Sequence, residues 1–171
     1  MITVLGSSEW RPTVRVSRRA VLVAATLSAA SAGAEGVAGA EAEIRERHRA
    51  LLRAMTDMDK KRARTFYTPD YRSHVGAGSL GLDETLKRLF SFLTSQAPCT
   101  IKSSLSDVKV TAMTAVTKEV AEITYTNPNG GKRTLPRQVN ELTWKRVGGL
   151  WLISSERAIE LGGKPVVGGS K

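Results

Sequence analysis

The sequence predicts an α+β domain, in which helices come first and long antiparallel strands close the chain. Three observations carry this reading. Ile44, Leu51, Leu52, Met55 and Met58 recur at helical spacing. Three late segments, EVAEITYT, RQVNELTWKRV and LWLISSERA, alternate with the period of two that places side chains on opposite faces of a sheet. The runs between them, Asn127 to Lys132 and Gly148-Gly149, hold the Asn and Gly that tight reversals need.

At the N-terminus Arg18-Arg19 follows Ser17 and precedes an alanine-rich, weakly apolar run that ends Ala32-Gly33-Ala34. This is the pattern of an export signal: basic residues, an apolar stretch too short to cross a bilayer, and small residues at a cleavage point. Residues 1–34 are expected to be removed, with 35–40 a short linker, and the paired arginines resemble a twin-arginine signal. The mature chain is accordingly expected outside the cytoplasm, in the periplasm or beyond, with membrane contact only during export. The whole chain carries 26 basic and 16 acidic residues, a net +10; without residues 1–34, which hold four arginines and one glutamate, it has 22 against 15, or +7. That balance fits solubility or attraction to anionic envelope surfaces rather than nucleic-acid binding. Cys99 is the only cysteine, so no intramolecular disulfide forms and stability must come from the core.

From about Ala40 to Asp59 an amphipathic helix is expected, with His48 on or beside its apolar stripe as a packed, hydrogen-bonded residue. KKRARTFY reads as a short second helix, halted by Thr68-Pro69-Asp70 because proline restricts the residue before it and lacks an amide hydrogen. Its cluster Lys60, Lys61, Arg62 and Arg64 reads as a solvated face. Tyr71 to Val75 is a short strand, and Gly76 to Ser79 a turn. Asp83 is the expected cap of a third helix, striped by Leu86, Leu89, Phe90 and Leu93 and ended by Pro98. Ser104 to Met113 alternates imperfectly, which predicts a bulge near Ser106-Asp107. The glycine-rich end, 161–171, is expected to be flexible.

In the late strands the faces bearing Ile123, Trp144 and Trp151 are assigned to the core. Gln138, Asn140, Ser155 and Arg157 continue that face toward the strand ends. Val139, Thr143, Leu150 and Leu152 fall on the outer face.

The order of a long amphipathic helix, FYTPDYRSHV, a short helix and strands ending LTWKRVGGLWLISS resembles the nuclear-transport-factor-2-like superfamily, which includes SnoaL-like cyclases and ketosteroid isomerases. The most specific piece is the pair Trp144 and Trp151 bracketing Gly148-Gly149. The resemblance covers residues 41–160. It implies a cone-shaped domain of three N-terminal helices packed in a strongly curved antiparallel sheet around a cavity, and a homodimer formed through the outer sheet face.

No paired cysteines, histidine-rich metal spacing, phosphate-cradling loop or nucleophile elbow is present, so neither metal nor cofactor is expected. The ligand-binding candidates are Tyr67, Tyr71, His74, Tyr125, Asn140, Ser155 and Arg157, which suit a small apolar ligand bearing a carbonyl or carboxylate. The expected function is noncatalytic binding of such a ligand. The alternatives are a dimeric assembly module and a cofactor-free acid–base enzyme, an isomerase, cyclase or dehydratase. For the enzyme the resemblance implies His74 or Asp59 as base and Tyr67 or Tyr125 as donor to an enolate.

Overall fold

The computed structural model describes the backbone from Arg18 to Val166 except residues 77 and 128, and the side chains from Gly36 onward except Val75. The chain divides into two compact units, Met1–Gly36 and Val37–Lys171. In the first, only the helical backbone from Arg18 is described, so the first half of the expected export signal, residues 1–17, and the side chains of all of it lie outside the described residues. No described helix is long and apolar enough to cross a membrane.

Helix α1 runs Arg18–Thr56, and from Val37 onward it lies in the second unit. Ala, Glu, Arg and Leu, all strong helix formers, dominate its last five turns. Ala40, Ile44, His48, Leu51 and Met55 form one stripe against the sheet, the first four of them buried. Met58, in the left-handed region at φ 57°, ends the run. Helix α2 (Lys60–Arg64) is only five residues long, and Asp59 caps it by accepting from Arg62 N at 2.8 Å.

The chain then becomes extended earlier than expected. Strand β1 covers Tyr67–Val75, so Pro69 sits inside a strand, where the register with its neighbour slips between Tyr67 and Arg72. A proline cannot donate to a ladder, and such a slip removes the demand. Strand β2 (Gly78–Gly81) folds back on β1 where a turn was expected. Helix α3 (Leu82–Ser95) is capped by Gly81 rather than Asp83, which occupies its first turn and pairs with Arg64. Leu82, Leu86, Phe90 and Leu93 are its buried stripe.

Strands β3 (Cys99–Val110), β4 (Thr114–Thr126), β5 (Lys132–Thr134), β6 (Gln138–Val147), β7 (Leu150–Leu161) and β8 (Lys164–Pro165) complete the chain. The main sheet order is β2-β1-β7-β6-β4-β3, with β5 beside β4 and β8 beside β7. All pairs are antiparallel except β1 with β7, so the sheet is mixed. The expected bulge is present: Asp107 has φ 50° and the β3–β4 register shifts between Ser106 and Lys109. Gly148 and Gly149, at φ 57° and 82°, make the two-residue reversal between β6 and β7. The glycine-rich end, expected to be flexible, is paired as far as Val166, whose N–H donates to Ile159 O.

The inner face of this sheet packs on α1. Trp144 and Trp151 are 0 % and 1 % exposed, with Ala115, Leu142 and Ile153 around them. Trp144 Nε1 donates to Thr117 Oγ1 at 3.1 Å, so burying its one polar group carries no unpaired donor. Helix and sheet are clipped together at the rim: Arg146 reaches Glu43 at 3.6 Å and lies over the Trp151 ring, and Arg45 Nη1 donates to Leu105 O at 2.8 Å.

Candidate active site

Beyond the tryptophans the inner face turns polar. On β4, alternation from Ala115 and Thr117 brings Glu119 inward, because the strand begins at Thr114 and Glu119 is mid-strand. Its neighbours in register are Asn140 on β6 and Leu105 on β3, and His48 comes down from α1. The carboxylate is fully engaged. Oε1 accepts from Ser103 Oγ at 2.7 Å and from His48 Nε2 at 2.9 Å, and Oε2 accepts from Asn140 Nδ2 at 3.1 Å. Asn140 Oδ1 accepts in turn from Gln138 Nε2 at 2.8 Å. Burial alone would raise the Glu119 pKa, but the bond and charge of His48, with the Asn140 and Ser103 bonds, outweigh it and hold the group below its ordinary value.

The second carboxylate arrives through a backbone irregularity. On β7, Ile153 faces Trp144 but the next pair in register is Ser155 with Thr143, so Ser154 is an extra residue, its hydroxyl tied to Thr143 O at 3.2 Å. A bulge reverses the alternation beyond it. Glu156, which simple alternation places outside, therefore turns inward, while Ser155 and Arg157 turn outward.

Glu156 Oε2 accepts from Tyr71 Oη at 2.8 Å. Tyr71 and Tyr67, two alternations apart on β1 and 1 % and 7 % exposed, stack edge to face with ring centroids 4.7 Å apart. Burial pushes the Glu156 pKa up, the Glu119 charge adds to this, the Tyr71 bond partly opposes it, and the result is about 7. Burial, then the charges of Glu156 and Glu119, raise Tyr67 well above its ordinary value and keep its phenol protonated. Tyr71 is raised by burial and by Glu156. The core thus holds one carboxylate kept ionised and one poised near neutrality, with two protonated tyrosines beside the second. Environments that push a pair of acids apart in this way supply a stable anion and a group able to both take and give a proton.

A cleft of about 260 Å³ reaches the His48 and Ser103 side of this cluster, lined by Arg45, His48 and Arg49 of α1 and Ser103, Ser104 and Leu105 of β3. Among the described residues no group of three or more His, Cys, Asp or Glu side chains is placed to hold a metal.

The sequence-based candidates separate. Tyr67, Tyr71 and Asn140 meet in the cluster. Tyr125, in register with Cys99, is half-buried near the far end of β4. His74 is exposed, because β1 directs Tyr71 and Ser73 inward and His74 the other way. Asp59 is an exposed helix cap. Ser155 lies beyond the bulge on the outer side, and Arg157 is exposed and paired with Glu141 at 2.9 Å. Val139 is buried despite its outer phase, whereas Leu150 is 53 % exposed. Glu119, Glu156, Ser103 and the pairing of His48 were not anticipated. An inward glutamate inside an alternating strand, as Glu119 is, was the one signal available for them.

No protein-family model matches the sequence, and no curated protein does. Solved structures do. A nuclear-transport-factor-2-like protein from Novosphingobium aromaticivorans with a cystatin-like fold superimposes with a TM-score of 0.65 at 15 % identity, over 81 % of this chain and 90 % of that one. The fold is nuclear-transport-factor-2-like. A conserved protein from Planctomyces limnophilus gives a TM-score of 0.62 at 19 % identity, over 70 % and 94 % of the two chains. A candidate dehydratase of the nuclear-transport-factor-2-like family from Streptomyces avermitilis gives 0.56 at 20 %, over 73 % and 95 %. At such identities the likeness establishes the fold, and the chemistry is argued from the side chains.

Proposed function

We propose that this nuclear-transport-factor-2-like domain binds a small carbonyl compound and moves a proton on it without a cofactor. The observation that carries the reading is the half-buried Glu156 carboxyl on the inner face of the sheet, which accepts from Tyr71 Oη at 2.8 Å; desolvation and the nearby Glu119 charge push its pKa up to about 7. A general base serves best when its pKa lies near the working pH. In the step we envisage, ionised Glu156 takes a proton from the carbon next to the carbonyl. The C–H electron pair becomes the carbon–carbon double bond of the enolate, the carbonyl π pair moves onto the oxygen, and the Tyr67 phenol donates a hydrogen bond to that oxygen. Protonated Glu156 then returns the proton. Delivered to a different carbon it completes an isomerisation, and delivered to a departing hydroxyl group it releases water. Desolvation first, and then the charge of Glu119, a fixed anion held by three donors, keep Glu156 from ionising early.

The neighbour from Streptomyces avermitilis is consistent with dehydration but does not select it. The test is deuterium uptake from heavy water into a panel of small cyclic enones, followed by NMR. Uptake is expected with the unaltered chain and Glu119→Asp, and its loss with Glu156→Gln. Uptake that persists in Glu156→Gln refutes the assignment. Binding of the panel without uptake returns the domain to the class of noncatalytic binders. The proposal also places the mature chain outside the cytoplasm and pairs two copies through the outer sheet face, where Val116, Val147 and Leu150 are exposed. Denaturing and native mass spectrometry of chain recovered from an exporting host check both: a chain that keeps residues 1–34 contradicts the first, and a monomer the second.

A further inference from the structure

The cleft between α1 and the edge strand β3 is lined by cationic and hydroxyl side chains. Its lining holds two guanidinium groups, Arg45 and Arg49, with the hydroxyls of Ser103 and Ser104, and no carboxylate. Its inner wall is His48, 3 % exposed and already bonded to Glu119, so the cleft ends on the polar cluster itself.

The two arginines are held differently. Arg45 is fixed: Nη1 donates to Leu105 O at 2.8 Å, while Nε and Nη2 donate to Glu41 Oε1 at 2.9 and 2.7 Å. Among the described residues Arg49 pairs with Glu46 alone, at 2.9 Å, and the other oxygen of that carboxylate takes Arg53 at 2.8 Å. One acid shared by two arginines leaves the trio with a net positive charge. Arg49 is therefore the exposed cation at the cleft's mouth, able to exchange a surface ion pair of little worth for a bidentate contact with a bound anion.

We propose that this cleft is the subsite for a carboxylate group of the substrate, with Arg49 and the fixed Arg45 holding the anion and His48 and Ser103 meeting the part that leads inward. This rests on the reading of the core cluster as the reaction site and deepens it: the substrate is a small carbonyl acid rather than a neutral ketone. A planar carboxylate matches the planar fork of arginine in a way a neutral amide does not. The volume, about 260 Å³, lies just below the 300–1,000 Å³ common for drug-sized ligands and suits a single ring or short chain.

The probes are benzoate and its neutral isostere benzamide, added to the full chain while the imidazole proton signals are followed by NMR. The chain has two histidines, His48 and His74, and the exposed His74 is an internal control. Benzoate is expected to shift the His48 signal saturably and leave His74 in place, and benzamide to move neither. Arg49→Gln is expected to weaken the benzoate response about tenfold and Arg49→Lys to weaken it less. Arg49 is exposed, so neither change threatens folding. Equal responses to the two probes, equal movement of both histidines, no movement at all, or a response unaltered in Arg49→Gln would each overturn the subsite. The two proposals fail separately. Loss of deuterium uptake in Glu156→Gln with no benzoate response removes the subsite alone, whereas a benzoate response in a chain that exchanges no proton removes the acid–base reading and supports the anion site.

Discussion

Replacing Glu156 with glutamine keeps an oxygen for Tyr71 to donate to and removes the charge, so its effect on stability isolates the cost of ionising that carboxyl in the core. The folded pKa is raised from 4.5 to about 7. Below pH 4.5 the group is protonated both folded and unfolded, and variant and parent should be nearly equal. Between 4.5 and 7 the unfolded chain gives up the proton while the folded one retains it, so the parent loses stability as pH rises. Above 7 the loss is complete. At about 1.4 kcal/mol per pH unit it amounts to roughly 3 kcal/mol, a large part of the stability of an ordinary domain. Urea unfolding of both proteins at pH 4.5, 6, 7 and 8.5 reads this directly. Glu156→Gln should be more stable than the parent by roughly 3 kcal/mol at pH 8.5 and by little at pH 4.5. A difference that does not change with pH, or one that grows as pH falls, would refute the placement of Glu156 in the core.

Removing one partner of the buried pair, as in Glu119→Leu, should cost about 3–5 kcal/mol because His48, Ser103 and Asn140 lose their acceptor; the double change His48→Leu with Glu119→Leu should recover part of this in chemical unfolding, and strict additivity would argue against the pairing. Trp144→Ala should cost about 3–5 kcal/mol, since the ring is fully buried and its N–H is bonded; a loss below about 1 kcal/mol would contradict its place in the core. Gly149→Ala, at φ 82°, should lower stability by about 1 kcal/mol in thermal unfolding, and a neutral result would mean the reversal has another geometry. Arg157→Ala should change stability by less than about 0.5 kcal/mol and leave deuterium uptake intact, because its partner Glu141 is a surface group; a loss of uptake would return Arg157 to the site.

The fold was legible because its signals are local. The stripe on α1, the Gly148-Gly149 reversal and the alternation of β6 each follow from residues a few positions apart. The parallel pairing of β1 with β7 was not legible, since it joins segments more than eighty residues apart and depends on a strand that tolerates Pro69 by slipping register. The site was legible only in part, for the same reason. Tyr67, Tyr71 and Asn140 stood out by residue type, but Glu156 was assigned to solvent by an alternation that one extra residue, Ser154, reverses. Nothing in LWLISSERA marks that bulge. His48 was correctly placed as a packed histidine, yet its partner is a glutamate of β4 that only the folded sheet brings near. Asp59 and His74 carried titratable chemistry into the reading, whereas the structure spends one on a helix cap and points the other outward.

The measurement that tests the central claim most directly is a carboxyl carbon NMR titration of chain labelled with ¹³C-glutamate, with Glu156→Gln used to assign the resonance. The account predicts that Glu156 titrates with a midpoint near 7. A midpoint at the ordinary glutamate value of 4.5 would contradict it, and with it the proton-transfer chemistry built on that residue.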